Sequence, residues 1–215
     1  TFDILNEMFI RSKFHFGIAD ERELAGKMID AVTQDVYYKD EPQIWIFDRG
    51  FPSLSLIQKL LEHRLYFVMR VSSSFLKEVN AFRKSKYVDR VIHIEYSEHR
   101  ATQNHVHSDG ISQFDLRCVR VKLPSGEDEI LVTNLDRKDF PKRDIKEIYR
   151  LRWGIETGFN YLKNAVFVEE FVSKTENGLA QDYFVSLLVY NFATCICGSM
   201  YPNIPKKENT STRSI

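Results

Sequence analysis

The segment YRLRWGIETGFNYLK, residues 149–163, sets a tyrosine, arginines, a glutamate and a lysine among aromatic and aliphatic residues. Read as one continuous helix at about 100° per residue, it places Tyr149, Arg152, Glu156 and Lys163 in a single wedge about 60° wide. Ile148, Leu151, Ile155, Phe159, Leu162 and Val166 fill a neighbouring wedge about 80° wide, which would dock on a sheet. A carboxylate and two cations in one row have the chemistry to hold a metal ion and the phosphates around it. The same row also reads as the polar face of an amphipathic helix. Its Arg152–Glu156 pair is then an i, i+4 contact worth about 0.3–0.5 kcal/mol. The helix alone does not decide between the two.

A second acid stands in WIFDRGF, where Asp48 directly follows the apolar run Ile44–Phe47. In open α/β sheets, ligands gather just beyond the carboxyl ends of strands, so an acid there is placed to bind a cation. Gly50 is expected to let the chain turn sharply. A turn or helix-capping aspartate is the plain alternative.

The elements that must position these residues are legible around them. ERELAGKMIDAV has helical spacing at Leu24, Met28 and Val32. A strand, IWIF, follows; then a helix in FPSLSLIQKLLEHR, with Ser53 or Ser55 near its start; then a strand in LYFVMRVS. Helix, strand, helix, strand implies parallel pairing in an α/β layer. From about Tyr87 to Leu135 the pattern becomes strand-like in RVIHIEYS, DLRCVRVKLP and EILVTNL, with PSGEDE as a hairpin turn. EHRATQNHVHSDGISQ between the first two reads as a polar loop, and its His105 and His107, without companion cysteines, as loop histidines rather than a zinc site. Helical patterning returns from Arg143. The expected organisation is a core of residues 1–80 and 136–205, a β-rich insertion at 81–135 and a flexible tail at 206–215.

Composition bounds the function classes. The 215 residues carry 30 basic and 30 acidic side chains, so net charge alone gives no reason to expect a nucleic acid. An anionic partner must be met by local patches. One candidate runs from Arg64 to Arg90: Arg64, Arg70, Lys77, Arg83, Lys84, Lys86 and Arg90 oppose only Glu78 and Asp89. It reads equally as a solvated face or as a phosphate-binding surface. Three cysteines without a C-x-x-C pair argue against a disulfide framework and fit a reducing cytoplasm. Cys195 and Cys197 are expected in a core. Tyr183 to Pro205 lacks charge but contains Ser186, Asn191 and Thr194, and is expected to be a buried helix rather than a membrane span. The sequence starts at Thr1 with no signal-peptide pattern, as a fragment or processed product would.

Taken together, the segments resemble the DDE transposases of bacterial insertion sequences, in the subgroup with a Y-x2-R-x3-E-x6-K signature. Tyr149, Arg152, Glu156 and Lys163 keep every spacing, and DRGF resembles the segment around the second catalytic aspartate. ERELA, FVMRVS and FVSKTENGLAQDYFVSLLVYNFA are similar too, so the likeness covers nearly the whole chain. The resemblance implies an α/β fold: an RNase H-like mixed sheet flanked by helices, with a β-rich insertion before the helix bearing the last catalytic glutamate. It implies metal-dependent phosphodiester hydrolysis and strand transfer on double-stranded DNA, at transposon ends and target. Two Mg²⁺ (or Mn²⁺) ions would be held by Asp48, Glu156 and an earlier aspartate. Tyr149, Arg152, Lys163, Arg49, Arg83, Lys84 and Lys86 would bind DNA. Self-association in the active complex, a bacterial cytoplasmic location and no membrane partner follow from the same likeness. The first aspartate is expected upstream of Thr1, because the surroundings of Asp3 do not match it; the chain alone is then inactive. Another RNase H-like two-metal nuclease, or a non-catalytic DNA-binding or dimerisation remnant, stays open as an alternative.

Overall fold

The computed structural model describes residues 1–15, 19–95, 113–123, 126–165 and 173–200. They form two units: Thr1–Phe14 with Ile155–Ile215, and His15–Gly154. His105, His107, most of the polar loop around them and the tail lie outside the described residues.

In the His15–Gly154 unit, the apolar run Ile44–Phe47 forms strand β3, and Tyr66–Arg70 forms β4 parallel to it, in register from Ile44↔Tyr66 to Phe47↔Met69. Parallel strands need a crossover, here helix α2, Leu54–Glu62. Ser53 starts it, its Oγ accepting from the Leu56 amide at 3.2 Å. Helix α1, Glu21–Thr33, is capped by Asp20 and tied to α2 by Asp30, which meets Lys59 at 2.6 Å and His63 at 3.2 Å. Helix α3, Lys77–Lys84, which the sequence reading does not anticipate, buries Val79 and Phe82 one turn apart.

Strands β5 (Asp89–Glu95), β6 (Gln113–Lys122) and β7 (Asp128–Thr133) pair antiparallel, as their alternation predicts. Gly126, in the β6–β7 connection, has φ 87°, the left-handed conformation glycine adopts most readily. β7 also pairs antiparallel with β4, so the β-rich block is hydrogen-bonded into the same sheet, in the order β3-β4-β7-β6-β5. This five-stranded mixed sheet flanked by helices is consistent with an RNase H-like fold.

The two-residue period of the strands separates two cores. Phe67 and Met69 of β4 and Ile130 and Val132 of β7 join Ile29, Ile57, Leu60 and Phe82 from α1, α2 and α3. Val68, Leu131, Val119 and Val121 face the other way, onto Ile145 and Tyr149 of helix α4, Lys142–Arg150. Burying each such side chain contributes about 1.5–3 kcal/mol, so these faces outweigh the exposed ion pairs in holding the unit together.

The helix expected from Arg143 through Val166 is not continuous. It stops at Arg150 and resumes as helix α5, Trp153–Ala165. Between them the Arg152 amide bonds to the Tyr149 carbonyl at 3.1 Å and the Gly154 amide to the Leu151 carbonyl at 2.8 Å, a tight three-residue pattern. A uniform 100° step therefore does not carry from Tyr149 to Lys163, and the single wedge drawn from the sequence is broken. Tyr149 and Arg152 stay side by side, because residues three apart eclipse in such a turn.

In the other unit, β1 (Phe2–Asp3) and β2 (Met8–Phe9) form a short hairpin. The Asn191 side-chain amide, from helix α6 (Glu176–Met200), donates to and accepts from the Phe9 backbone, each at 2.8 Å. Phe2 and Tyr190 pack edge-on against Phe9, and Phe159 packs tilted against it, beside Leu162 and Leu187. A methyl at Gly158 would meet the Phe2 ring at 3.2 Å, so that contact needs glycine or a shift of the ring. The buried-helix expectation for Tyr183 onward needs correcting: Leu187 and Tyr190 are buried, but Phe184, Leu188 and Phe192 are exposed, as are Cys195 and Cys197. Apolarity all round a helix does not say which face is covered. Among the described residues no helix is long and apolar enough to cross a membrane.

Candidate active site

Asp48 is the first residue after β3, and Arg70 is the last residue of β4. Since Phe47 pairs with Met69, the parallel register sets the acid and the arginine side by side at the carboxyl end of the sheet. A turn follows, closed by the Phe51 amide on the Asp48 carbonyl at 3.1 Å. Arg22, in the first turn of α1, ties it down by donating Nε–H to the Gly50 carbonyl at 2.9 Å. Gly50 itself is not in the left-handed region, and a methyl there would meet nothing within 4 Å. The turn expected at Gly50 is present, but it does not draw on glycine's left-handed freedom.

The Asp48 carboxylate collects donors from three directions. Oδ1 accepts from the Arg49 amide at 2.7 Å and from the Tyr149 hydroxyl at 3.1 Å. Arg70 Nε lies 3.1 Å from the same oxygen, but without hydrogen-bond alignment, and Arg152 Nη1 lies 3.7 Å from Oδ2. Partial burial opposes the charge, yet the Arg49 amide, the Arg152 and Arg70 charges and the Tyr149 hydroxyl together hold the carboxyl below the usual range. Burial first, and then the Asp48 charge, push the Tyr149 phenol up, so it stays a donor. Arg152 also lies over the Tyr149 and Trp153 rings, 5.9 and 5.4 Å from their centroids.

Behind this cluster Arg70 Nη1 meets Glu129 Oε1 of β7 at 2.5 Å. Sequence reasoning missed Glu129, and it saw Arg70 only as part of a basic run. The signal was faint: two parallel strands of similar length, one followed by aspartate and one ending in arginine. The Glu129 partnership depends on the β4–β7 register, which the sequence does not display.

The remaining expected site residues fall as follows. Arg49 is exposed beside Asp48, and Lys84 and Lys86 are exposed around the end of α3. Arg83 is half-buried and donates to the carbonyls of Val71 and Ser72 at 3.3 Å. Burial, then the charges of Arg49 and Arg120, push its guanidinium pKa down, which marks a local concentration of positive charge. Glu156, half-buried, and Lys163, exposed, belong to the part of α5 in the other unit. Asp3 is held in its own turn, accepting from the Leu5 and Asn6 amides at 3.0 Å.

Asp48 fits one place in a divalent-metal site: it is a hard oxygen donor, ionised and 40% exposed. Among the described residues, however, no group of three or more His, Cys, Asp or Glu gathers to hold a metal. Glu129, in the same unit, is turned to Arg70. Among its described residues this unit thus offers one candidate ligand, Asp48, and its surroundings.

Comparison with known proteins points to one family. Residues 1–192 match the family model described as the transposase DDE domain. A putative transposase, y4zB, of Sinorhizobium fredii (strain NBRC 101917 / NGR234) is 27% identical over 148 residues, 68% of this chain and 40% of that protein. A probable transposase for insertion sequence element IS5377 of Geobacillus stearothermophilus is 22% identical over 176 residues, 79% of this chain and 42% of that protein. A putative transposase for element IS4SA of Synechocystis sp. (strain ATCC 27184 / PCC 6803 / Kazusa) is 22% identical over 203 residues, 92% and 50%. The chain therefore spans half or less of the length of these relatives. With the match running through both units, the chain belongs to the DDE transposase domain family.

Proposed function

We propose that the chain is the larger part of the catalytic region of an insertion-sequence transposase of the Tyr-Arg-Glu-Lys signature subgroup, acting on double-stranded DNA in the bacterial cytoplasm. Transposases act on DNA, and the family generally uses divalent metals. Asp48 and Glu156 are assigned as metal ligands, with Mg²⁺ or Mn²⁺ as the two ions. When bound, the ions activate the attacking oxygen and stabilise the leaving oxygen of a phosphodiester. The observation that carries this reading is the ionised Asp48 at the carboxyl end of β3, contacted by two signature side chains, Tyr149 and Arg152.

The chain's own residues then have separable tasks. Tyr149 orients Asp48 by donating to Oδ1, and its burial fixes that donor. Arg152 holds charge beside Asp48 and is suited to grip a phosphate, as is exposed Arg49. Lys163, Lys84 and Lys86 add point charges for DNA backbone, and Arg83 adds field rather than direct contact. A remaining acid is assigned to a longer protein, because Asp3 is engaged in its own turn; the chain alone is inactive, and the active complex self-associates.

The test compares this chain and a transposase of its relatives' full length containing it, each incubated with insertion-sequence end DNA and Mg²⁺ or Mn²⁺. The longer protein is expected to nick and join DNA, and its Asp48→Asn variant to do neither. Retained activity in that variant overturns the site assignment. Clean metal-dependent cleavage by the chain alone overturns the proposal that it is an inactive part.

A further inference from the structure

We infer that Glu129 is a positioning residue: by holding Arg70, it keeps the Asp48 carboxylate open to a cation. The inference rests on the assignment of Asp48 as a metal ligand. The Arg70 guanidinium stands between two acids and is only 30% exposed. Glu129, 14% exposed, takes the aligned bond, Nη1 to Oε1 at 2.5 Å. Asp48 receives the other side, with Nε at 3.1 Å but out of line, and this Nε is a buried donor with no hydrogen-bond partner.

A guanidinium free to choose would close on a carboxylate in two parallel bonds. Arg117 shows that geometry in the same sheet, with Nε and Nη2 on the two oxygens of Asp89 at 3.0 and 2.8 Å. Arg70 does not close on Asp48 in this way: the bond from Nη1 to Glu129 Oε1 fixes the tilt of the guanidinium, and at that tilt its Nε approaches Asp48 out of line. The result is a cation near enough to favour the ionised acid, yet unable to occupy both its oxygens. Glu129 also offsets the positive charge that would repel an incoming ion.

Removing the Glu129 charge releases Arg70 onto Asp48 and leaves it uncompensated; both effects disfavour a cation there. Removing the Arg70 charge does the reverse. Mn²⁺ titrated into the chain and followed by paramagnetic broadening of the Arg49 and Gly50 backbone amide NMR signals reads the site locally, even when binding is weak. The half-broadening concentration is expected to rise roughly fivefold in Glu129→Gln and to fall by a similar factor in Arg70→Gln. The Arg70→Gln/Glu129→Gln double variant, which removes both charges, is expected between the two. Signals of β5, separated from β7 by β6 in the strand order, report whether each variant keeps its fold, and the double variant removes the unpaired acid that Arg70→Gln alone leaves buried.

Broadening abolished by Asp48→Asn but unchanged in both Glu129→Gln and Arg70→Gln overturns this inference and leaves the metal assignment standing. Wild-type signals that do not broaden at Arg49 and Gly50 overturn both.

Discussion

Two arginine–aspartate clusters occupy the two sides of one sheet's strand order, and they are built to different ends. On β5 and β6, Arg117 is 3% exposed and fully used: Nε and Nη2 grip Asp89, while Nη1 donates to the carbonyls of Leu135, Asp136 and Phe140 at 3.2, 3.2 and 2.7 Å. Arg137 adds a second cation to Asp89. At the end of β3 and β4, Asp48 is 40% exposed, its contacts with Arg70 and Arg152 are long or misaligned, and a buried Arg70 donor has no hydrogen-bond partner. A buried charge with every donor matched fastens a loop to a sheet. An ionised acid with loose counter-charges is arranged to take on something else. The same pair of residue types thus serves the fold at one place and, on the reading proposed above, a site at another, and matching of donors distinguishes them.

The largest effect that could break this contrast is at Arg117. Arg117→Ala leaves Asp89 buried and three carbonyls without their donor, and is expected to cost about 3–5 kcal/mol in urea unfolding. A loss under 1 kcal/mol would mean that the Asp89 cluster is as dispensable as a surface pair.

Next is the pH dependence at Asp89. Burial raises its pKa, but the Arg117 bond and charge, then Arg137, more than reverse this and leave it depressed. A depressed folded-state pKa contributes stability above the unfolded value of about 3.9, and that contribution disappears as pH falls through the folded value. Wild type should therefore lose more stability on going below about pH 4 than Asp89→Asn does. Parallel acid-unfolding profiles would remove Asp89 from the account.

At the other cluster, Asp48→Ala is expected to change stability by no more than about 1 kcal/mol, since its partly exposed ion contacts are screened and Arg70 keeps Glu129. A cost of several kcal/mol would make Asp48 a structural acid like Asp89. Smallest is Gly50→Ala: with ordinary φ and open space, the change should stay within about 0.5 kcal/mol by thermal unfolding. A marked loss would show that the turn after Asp48 is tighter than its backbone indicates.

The sequence reading reached some layers and not others, for physical reasons. Ile44–Phe47, Tyr66–Arg70 and the β6–β7 hairpin were legible because a short apolar run or a two-residue alternation is a local signal. Asp48 was legible because its place after a strand can be read from its neighbours. The interruption at Leu151–Arg152 was not, because a switch from four-residue to three-residue hydrogen bonding leaves the apolar pattern almost intact. The Arg70–Glu129 bond was not, because it joins residues from strands whose register is set by the whole sheet. Helix α3 was short and rich in charge, so its two buried residues gave too weak a period.

The central claim is that Asp48 and Glu156, distant in sequence, hold the same ions. Iron(II)-directed cleavage tests it most directly: Fe²⁺ substituted for the native ion in the full-length protein bound to end DNA, with ascorbate and peroxide, cuts the backbone beside its ligands. The account predicts cuts next to both Asp48 and Glu156, suppressed by excess Mg²⁺ and lost together in Asp48→Asn. Cuts at only one of these positions, or a pattern unchanged by Asp48→Asn, would contradict it.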